Sequence, residues 1–173
     1  IVLIQNILAV TGKKTILGVW PNLEVFVHGA VSFSPYRQLF KELIPSPDMR
    51  YMETYNASEG FFGIQDQTNS EELLLMLDYG IFYEFIPMEN IDQEQPDTLT
   101  LEEVALGKNY ALVISTNAGL WRYMIGDTVR FTSLNPFRIK ISGRTKHFIN
   151  AFGEELVVEN ADIAITKASK ATG

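Results

Sequence analysis

The chain has 173 residues, 46% of them hydrophobic, which is typical of a globular domain with a core and not of a disordered protein. A formal net charge of -7 at pH 7 argues against a nucleic-acid partner, because such proteins usually present a basic face. The lack of cysteine excludes disulfides and thiolate metal sites. The sequence contains no run of about 18 apolar residues, which a membrane span would require. We therefore expect a soluble, cytoplasmic protein.

The first part of the chain alternates predicted helices and strands. In chain order, periodicity predicts a buried helix at Ile1–Val10, a strand at Leu23–Val27, a short helix after Ser34 and a strand at Met49–Tyr55. The first strand ends in a predicted turn, His28-Gly29-Ala30, where a glycine would allow a flat ligand to approach the backbone. This part of the sequence is typical of an α/β fold.

The part of the chain after Leu73 is rich in predicted strands. The run LLLMLDYGIFYEFIP predicts a hairpin that turns at Asp78-Tyr79-Gly80, and a polar loop follows. The runs YALVIST, WRYMIGDTVRF and FRIKISG predict three further strands of one antiparallel meander. The expected fold class is therefore α/β (α+β), an α/β part followed by an antiparallel β meander. Both ends interrupt predicted helices, so we expect a fragment of a longer protein.

Polar side chains stand at the ends and turns of these strands. A predicted turn at Asn56-Ala57-Ser58, followed by Glu59-Gly60, would present a hydroxyl and a carboxylate together, as a phosphate and its magnesium ion require. Asp127 is an acceptor suited to the vicinal hydroxyls of a ribose, and Arg144 is a rigid fork of donors suited to hydroxyl or phosphate oxygens. Taken singly, these residues are explained as well by exposed turns and a solvated sheet edge.

Three motifs together carry more weight than any single residue. YNASEG, YMIGD and GRTKHFINAFGEEL, in this order and spacing, resemble three core motifs of the adenylate-forming superfamily of acyl-CoA synthetases, luciferase and nonribosomal-peptide adenylation domains. More closely, the chain from Leu23 onward resembles the auxin-responsive, jasmonate-conjugating type of acyl-acid amido synthetase and its bacterial relatives. Residues 1–145 would then be the C-terminal portion of the large ATP- and acyl-binding domain, and residues 146–173 the hinge and the start of a truncated small C-terminal domain.

The resemblance also implies roles for individual residues. Tyr55 would lie along the adenine or the acyl-adenylate, Ser58 would lie near the α-phosphate, and Glu59 would bind magnesium. Asp127 and Arg144 would contact the ribose hydroxyls. The remaining matched positions are Lys146 at the interdomain hinge, and Gly29 and Ala30 in the wall shared by the acyl group and the adenine.

The implied reaction uses ATP and Mg²⁺ to convert a small carboxylic acid to acyl-AMP, which an amino acid or other amine then attacks to form an amide. Two alternatives remain open: an acyl-CoA-forming ligase and a non-catalytic nucleotide-binding or structural module. Met124 stands where the superfamily often has arginine, and Arg122, two residues earlier, is a possible replacement on the same strand face. Because the chain lacks the Ser/Thr/Gly-rich phosphate loop and most of the C-terminal domain, we expect this piece alone to be inactive.

Overall fold

A computed structural model describes residues 1–29, 33–145, 149–151, 154–156 and 167. The chain divides into two compact units, Ile1–Thr54 and Tyr55–Gly173. Both named α-helices belong to the first unit and strands occur in both units, so the predicted mixed α/β class is confirmed. Within the described part of the chain, no helix is long and apolar enough to cross a membrane.

The N-terminal unit is built on two parallel strands. Its elements are helix α1 (Val2–Thr11), strand β1 (Val25–Gly29), helix α2 (Arg37–Leu43) and the first part of strand β2 (Arg50–Ala57), with short 3₁₀ helices at Ile16–Gly18 and Ser34–Tyr36. The parallel register runs from Val25 opposite Arg50 to Gly29 opposite Thr54. Parallel neighbours need a crossover connection, and the segment that contains α2 supplies it.

An aromatic cluster forms the core of this unit. The ring of Phe40 on α2 lies 4.6 Å from that of Phe26 and 5.2 Å from that of Phe33. Helix α1 packs partly against the cluster through Ile4, Ile7 and Leu8. The prediction of a buried helix is nevertheless wrong, because none of the residues of α1 is buried. Only one side of the helix faces the cluster.

The predicted turn at His28 and Gly29 is also wrong, since both residues belong to strand β1. Their backbones remain extended because they pair with Glu53 and Thr54 of β2. The hydroxyl of Thr54 also donates to the carbonyl oxygen of His28 at 3.3 Å.

The C-terminal unit is mostly antiparallel sheet. Its strands are the end of β2, β3 (Gly60–Ile64), β4 (Leu73–Leu75), β5 (Ile81–Pro87), β6 (Asn109–Thr116), β7 (Tyr123–Leu134) and β8 (Phe137–Arg144), with a 3₁₀ helix at Met88–Asn90. Their order is β2-β3-β4-β8-β7-β6-β5. Strands β5 to β8 form the predicted antiparallel meander. Strands β9 (Ile149–Ala151) and β10 (Glu154–Leu156) pair separately as a small antiparallel sheet.

The predicted hairpin of β4 and β5 does not form. Strand β4 lies between β3 and β8, and β5 lies at the far end of this order, where it pairs with β6. Both edges of β4 are already hydrogen-bonded, so β5 has no edge there to join. The hydroxyl of Tyr83 on β5 donates to the carbonyl oxygen of Met76 at 2.9 Å. This hydrogen bond joins the segment just after β4 to strand β5.

Aromatic rings from three adjacent strands fill the centre of this unit. Phe131 on β7 packs edge to face against Phe85 on β5, with ring centroids 5.0 Å apart. Tyr110 on β6 lies 6.0 Å from the ring of Phe131 in the same kind of contact. All three side chains are fully buried. Edge-to-face pairs add to the free energy gained from burying these large rings.

Strand β7 is interrupted by a bulge in its middle. Ala111 pairs with Thr128 and Val113 pairs with Met124, so Leu112 alone faces the three residues Ile125, Gly126 and Asp127. Gly126 has a φ of 90°, a conformation that side chains with a Cβ rarely adopt. The sequence suggested that the Gly126-Asp127 pair lies at the far end of a strand. In the structure the pair lies within strand β7. Bulges of this kind redirect individual side chains.

Replacing Phe131 with alanine tests the aromatic core. We expect Phe131→Ala to lower the free energy of unfolding by about 3–5 kcal/mol, because it leaves a cavity among fully buried rings. Phe82→Ala is the control: its side chain is 60% exposed, and we expect a change within about 0.5 kcal/mol. Urea unfolding of the purified protein measures both values. Equal losses for the two variants would contradict the assignment of the core.

Replacing Gly126 with alanine tests the bulge. Both Gly126→Ala and Gly107→Ala impose a positive φ on alanine, 90° and 77° respectively, at a cost of about 1–3 kcal/mol. A Cβ on Gly126 would also lie 3.2 Å from Arg144 Nη2, whereas one on Gly107 meets nothing within 4 Å. We therefore expect Gly126→Ala to destabilise the protein more in thermal unfolding, and equal destabilisation would contradict this contact.

Candidate functional site

Three of the predicted site residues meet in the C-terminal unit. The hydroxyl of Tyr55 donates to Asp127 Oδ2 at 2.9 Å, and Arg144 Nη1 lies 3.3 Å from Asp127 Oδ1. Asp127 and Arg144 are cross-strand neighbours on β7 and β8, whereas Tyr55 comes from the end of β2. Among the described residues, each oxygen of the Asp127 carboxylate thus has one side-chain partner.

The bulge of β7 holds this group in place through backbone contacts. The amide of Thr145 donates to the carbonyl oxygen of Gly126 at 2.8 Å, and Arg144 Nη2 lies 3.4 Å from the carbonyl oxygen of Ile125. The side chain of Asp127 is 15% exposed and that of Arg144 is 57% exposed. The carboxylate is therefore partly accessible beside a largely accessible guanidinium, which suits a ligand that carries both hydroxyl and anionic groups.

Tyr55 is part of the hydrophobic core. Its side chain is 5% exposed, and its ring lies 5.0 Å from that of Phe62. Burial, and then the negative charge of Asp127, raise the pKa of Tyr55 well above its usual range. The hydroxyl therefore stays protonated and donates a hydrogen bond at any pH near neutrality. Burial likewise raises the pKa of Tyr83.

The turn between β2 and β3 consists of Ser58 and Glu59, whereas Asn56 and Ala57, which the sequence places in the turn, are the last two residues of β2. Ser58 is exposed and Glu59 is partly exposed. Glu59 lines an open cleft of about 700 Å³ together with Asp78, Thr116 and Asn117. Among the described residues, no hydrogen bond or ion pair engages the carboxylate of Glu59, so its oxygens are available to a ligand.

This turn is compatible with a magnesium ion bound together with a substrate. The described residues contain no group of three or more His, Cys, Asp or Glu side chains that could hold a metal ion by themselves. Magnesium does not need such a group, because it usually takes one or two carboxylates and completes its shell with water and phosphate oxygens. Glu59 at the exposed turn fits this requirement, and Asp78 is a second carboxylate in the same cleft.

The remaining predicted site residues are Gly29, Ala30 and Lys146. Gly29 is the last residue of β1 in the N-terminal unit, opposite Thr54. Ala30 and Lys146 lie outside the described residues, and so does the predicted domain boundary at residues 145 and 146.

Arg122 is held by a different carboxylate. It precedes β7 with a φ of 45°, and its guanidinium binds Glu84 with Nη2 to Oε1 and Nε to Oε2 both at 3.1 Å. Arg122 Nη2 also donates to the hydroxyl of Thr98 at 3.1 Å. Glu84 belongs to β5, so Arg122 anchors the start of β7 to that strand. This engagement argues against Arg122 as a replacement for the arginine missing at Met124.

Sequence reasoning missed the residues that line the cleft opposite Glu59. The sequence predicts only a turn at Asp78 and the end of a strand at Thr116. They meet Glu59 because three separate loops of the C-terminal unit converge. The Gly-rich turns around them were the available signal, but a turn signal does not say which other turn lies beside it.

The raised pKa of Tyr55 predicts alkaline destabilisation. In the unfolded chain a tyrosine loses its proton near its ordinary pKa of 10.0, whereas the folded protein retains the proton on Tyr55. The stabilisation is therefore complete below that pH and is lost as pH rises above it. We expect the free energy of unfolding to fall between about pH 9 and pH 11, less steeply in Tyr55→Phe. The exposed Tyr36→Phe is the control in urea titrations, and an unchanged slope in Tyr55→Phe would contradict the assignment.

Comparison with known proteins identifies the family of this chain. Residues 2–49 match the GH3 family N-terminal domain, and residues 74–144 match the GH3 family central domain. Among the solved structures, the GH3.15 acyl acid amido synthetase superposes with a TM-score of 0.70 at 20% identity, over 88% of this chain and 28% of that one. This similarity establishes the fold.

Curated relatives point to the same family. Indole-3-acetic acid-amido synthetase GH3.3 of Arabidopsis thaliana is 32% identical over 66% of this chain and 20% of its own length. Jasmonoyl-L-amino acid synthetase JAR4 of Nicotiana attenuata is 39% identical over 44% of this chain and 14% of its own length. The chain thus spans about a fifth or less of these relatives. With both family models matched in order and the fold shared, the chain belongs to the GH3 family.

Proposed function

We propose that the protein containing this chain is an ATP-dependent acyl acid amido synthetase. The observation that carries the proposal is the partly accessible Asp127 carboxylate, held between Tyr55 and Arg144 at a bulge. Family membership supports it, because the relatives are named as an indole-3-acetic acid-amido synthetase and a jasmonoyl-L-amino acid synthetase. The substrates would be a small carboxylic acid, ATP and an amino acid or other amine.

Asp127 and Arg144 are suited to the ribose of ATP. An ionised carboxylate only accepts hydrogen bonds, and the two ribose hydroxyls are donors. The guanidinium of Arg144, beside the partly accessible Asp127, supplies donors that reach hydroxyl or phosphate oxygens. The pair would hold the nucleotide in one orientation, and positioning is a large part of catalysis in phosphoryl chemistry.

Ser58 and Glu59 would act on the phosphates. In our proposal the exposed hydroxyl of Ser58 lies near the α-phosphate, and Glu59 holds Mg²⁺, which when bound neutralises phosphate charge. Gly29 and Ala30 would form a wall of the acyl pocket, and Lys146 the hinge between residues 1–145 and the small domain that begins at 146. A cytoplasmic location stays a prediction from the sequence.

The proposed function consists of two half-reactions. A carboxylate oxygen of the acid attacks the α-phosphorus, the bond to the bridging oxygen of the β-phosphate breaks, and pyrophosphate leaves with that electron pair. The amine nitrogen then attacks the acyl carbon of the acyl-AMP, loses a proton and expels AMP, which leaves an amide. If a thiol attacked instead, the product would be a thioester, and the acceptor therefore distinguishes an amido synthetase from an acyl-CoA ligase.

Carboxylate-dependent exchange of labelled pyrophosphate into ATP tests the first half-reaction. We expect the full-length protein to exchange label with some members of a panel of aromatic and aliphatic acids. Glu59→Gln removes the charge that would bind magnesium, and we expect it to lower the exchange rate at least about tenfold, which corresponds to about 1.4 kcal/mol. Glu102→Gln, at an exposed loop carboxylate, is the control and should match the wild type.

The outcomes separate the alternatives. Exchange without any acid dependence, or equal exchange in Glu59→Gln and wild type, would contradict the proposed chemistry. No exchange with any acid, combined with normal ATP binding, would favour a nucleotide-binding module without turnover. If exchange occurs, supplying amino acids or coenzyme A and identifying an amide or a thioester by mass spectrometry decides between amido synthetase and acyl-CoA ligase.

A further inference from the structure

We propose that Tyr55 is a positioning residue, which acts on the nucleotide through the carboxylate of Asp127 and thereby sets recognition of both ribose hydroxyls. This inference rests on the proposed function. The relevant part of Tyr55 is then its hydroxyl, whereas the resemblance to adenylate-forming enzymes assigns the residue a role along the adenine, through its ring.

The burial of Tyr55 favours the hydroxyl over the ring. Its side chain is 5% exposed, so almost no ring surface is available for a base to stack on. The ring packs instead against Phe62 at 5.0 Å. The hydroxyl is the polar end of this buried side chain, and it points to Asp127 Oδ2 at 2.9 Å. The core thus determines where the donor lies.

Counting the acceptor positions of Asp127 explains why this placement matters. An ionised carboxylate has two oxygens with about four acceptor positions in all. Tyr55 donates a hydrogen bond to Oδ2, and Arg144 lies 3.3 Å from Oδ1 as an ion pair. Counted over the described residues, at least one acceptor position on each oxygen is left. A vicinal diol has two donors on adjacent carbons, and this pattern matches it.

Both partners are needed to hold the carboxylate plane. A carboxylate with a single partner rotates about the bond that joins it to Cβ, and its free acceptor positions rotate with it. With Tyr55 on one oxygen and Arg144 on the other, that rotation is blocked. Arg144 is 57% exposed, whereas Tyr55 is packed in the core, so Tyr55 is the partner whose position the core determines.

The preference for ATP over 2′-deoxy-ATP tests the inference. In the full-length protein, Tyr55→Phe retains the ring and deletes only the hydroxyl. We expect KM for ATP in pyrophosphate exchange to rise about two- to tenfold, as loss of one hydrogen bond predicts. The ratio of KM for 2′-deoxy-ATP to KM for ATP should fall toward one. Without the hydrogen bond from Tyr55, the Asp127 carboxylate is no longer oriented to accept from the 2′-hydroxyl.

Tyr83→Phe is the matched control. Tyr83 is as deeply buried as Tyr55, and its hydroxyl also makes one hydrogen bond, to the carbonyl oxygen of Met76 at 2.9 Å. It makes no contact with Asp127. Tyr83→Phe should therefore lower thermal stability to a similar extent and leave the ratio of the two KM values unchanged, so a general loss of stability cannot imitate the expected result.

The remaining outcomes are decisive as well. Wild-type exchange with an unchanged KM ratio in a folded Tyr55→Phe would overturn the role of Tyr55 and leave the proposed function intact. A wild type that shows no exchange at all would overturn the function itself. If Tyr55→Phe does not fold, 3-fluorotyrosine at position 55 keeps the ring and makes the hydroxyl a stronger donor. The ratio of KM values should then rise, and an unchanged ratio would overturn the inference.

Discussion

The hydrogen bond from Tyr55 to Asp127 is the contact on which the site depends. It joins residues that are 72 positions apart, on the β2–β3 hairpin and on the long strand β7. One end of the bond belongs to a side chain buried against Phe62, and the other end is a partly accessible charged group. The packing of the core therefore determines where the Tyr55 hydroxyl meets the Asp127 carboxylate. That packing is dense and changes little with solvent conditions.

The bulge in β7 resolves a conflict between this site and the strand that carries it. Alternation along a regular strand places Ile125, Asp127 and Val129 on one face, and both apolar residues pack in the hydrophobic core. An ionised carboxylate in that core would be costly without partners. The bulge at Gly126 interrupts this alternation next to Asp127, whose two oxygens have Tyr55 and Arg144 as charged or polar partners.

Errors in the sequence-based predictions share one physical cause. The turn at Asp78-Tyr79-Gly80 was recognised, but β5 joined β6 because both edges of β4 were already paired. The helix α1 was recognised, but its burial was not, because apolar composition does not say how much of a helix meets a partner. Arg122 was placed on the strand by alternation, whereas its positive φ and its contact with Glu84 take it off the strand. Each error concerns contacts between segments that are distant in the sequence.

The amino-acid sequence by itself determined the mixed fold class, the meander of β5 to β8, the turn at Ser58 and Glu59, and membership of the GH3 family. These properties follow from local periodicity, turn chemistry and short motifs, which a linear chain displays directly. Only the tertiary structure decided that Tyr55 meets Asp127, that Asp127 lies in a bulge, and that Glu59 shares a cleft with Asp78. Those contacts depend on strand order and on which hydrogen-bonding edges remain free, and both are properties of the whole sheet.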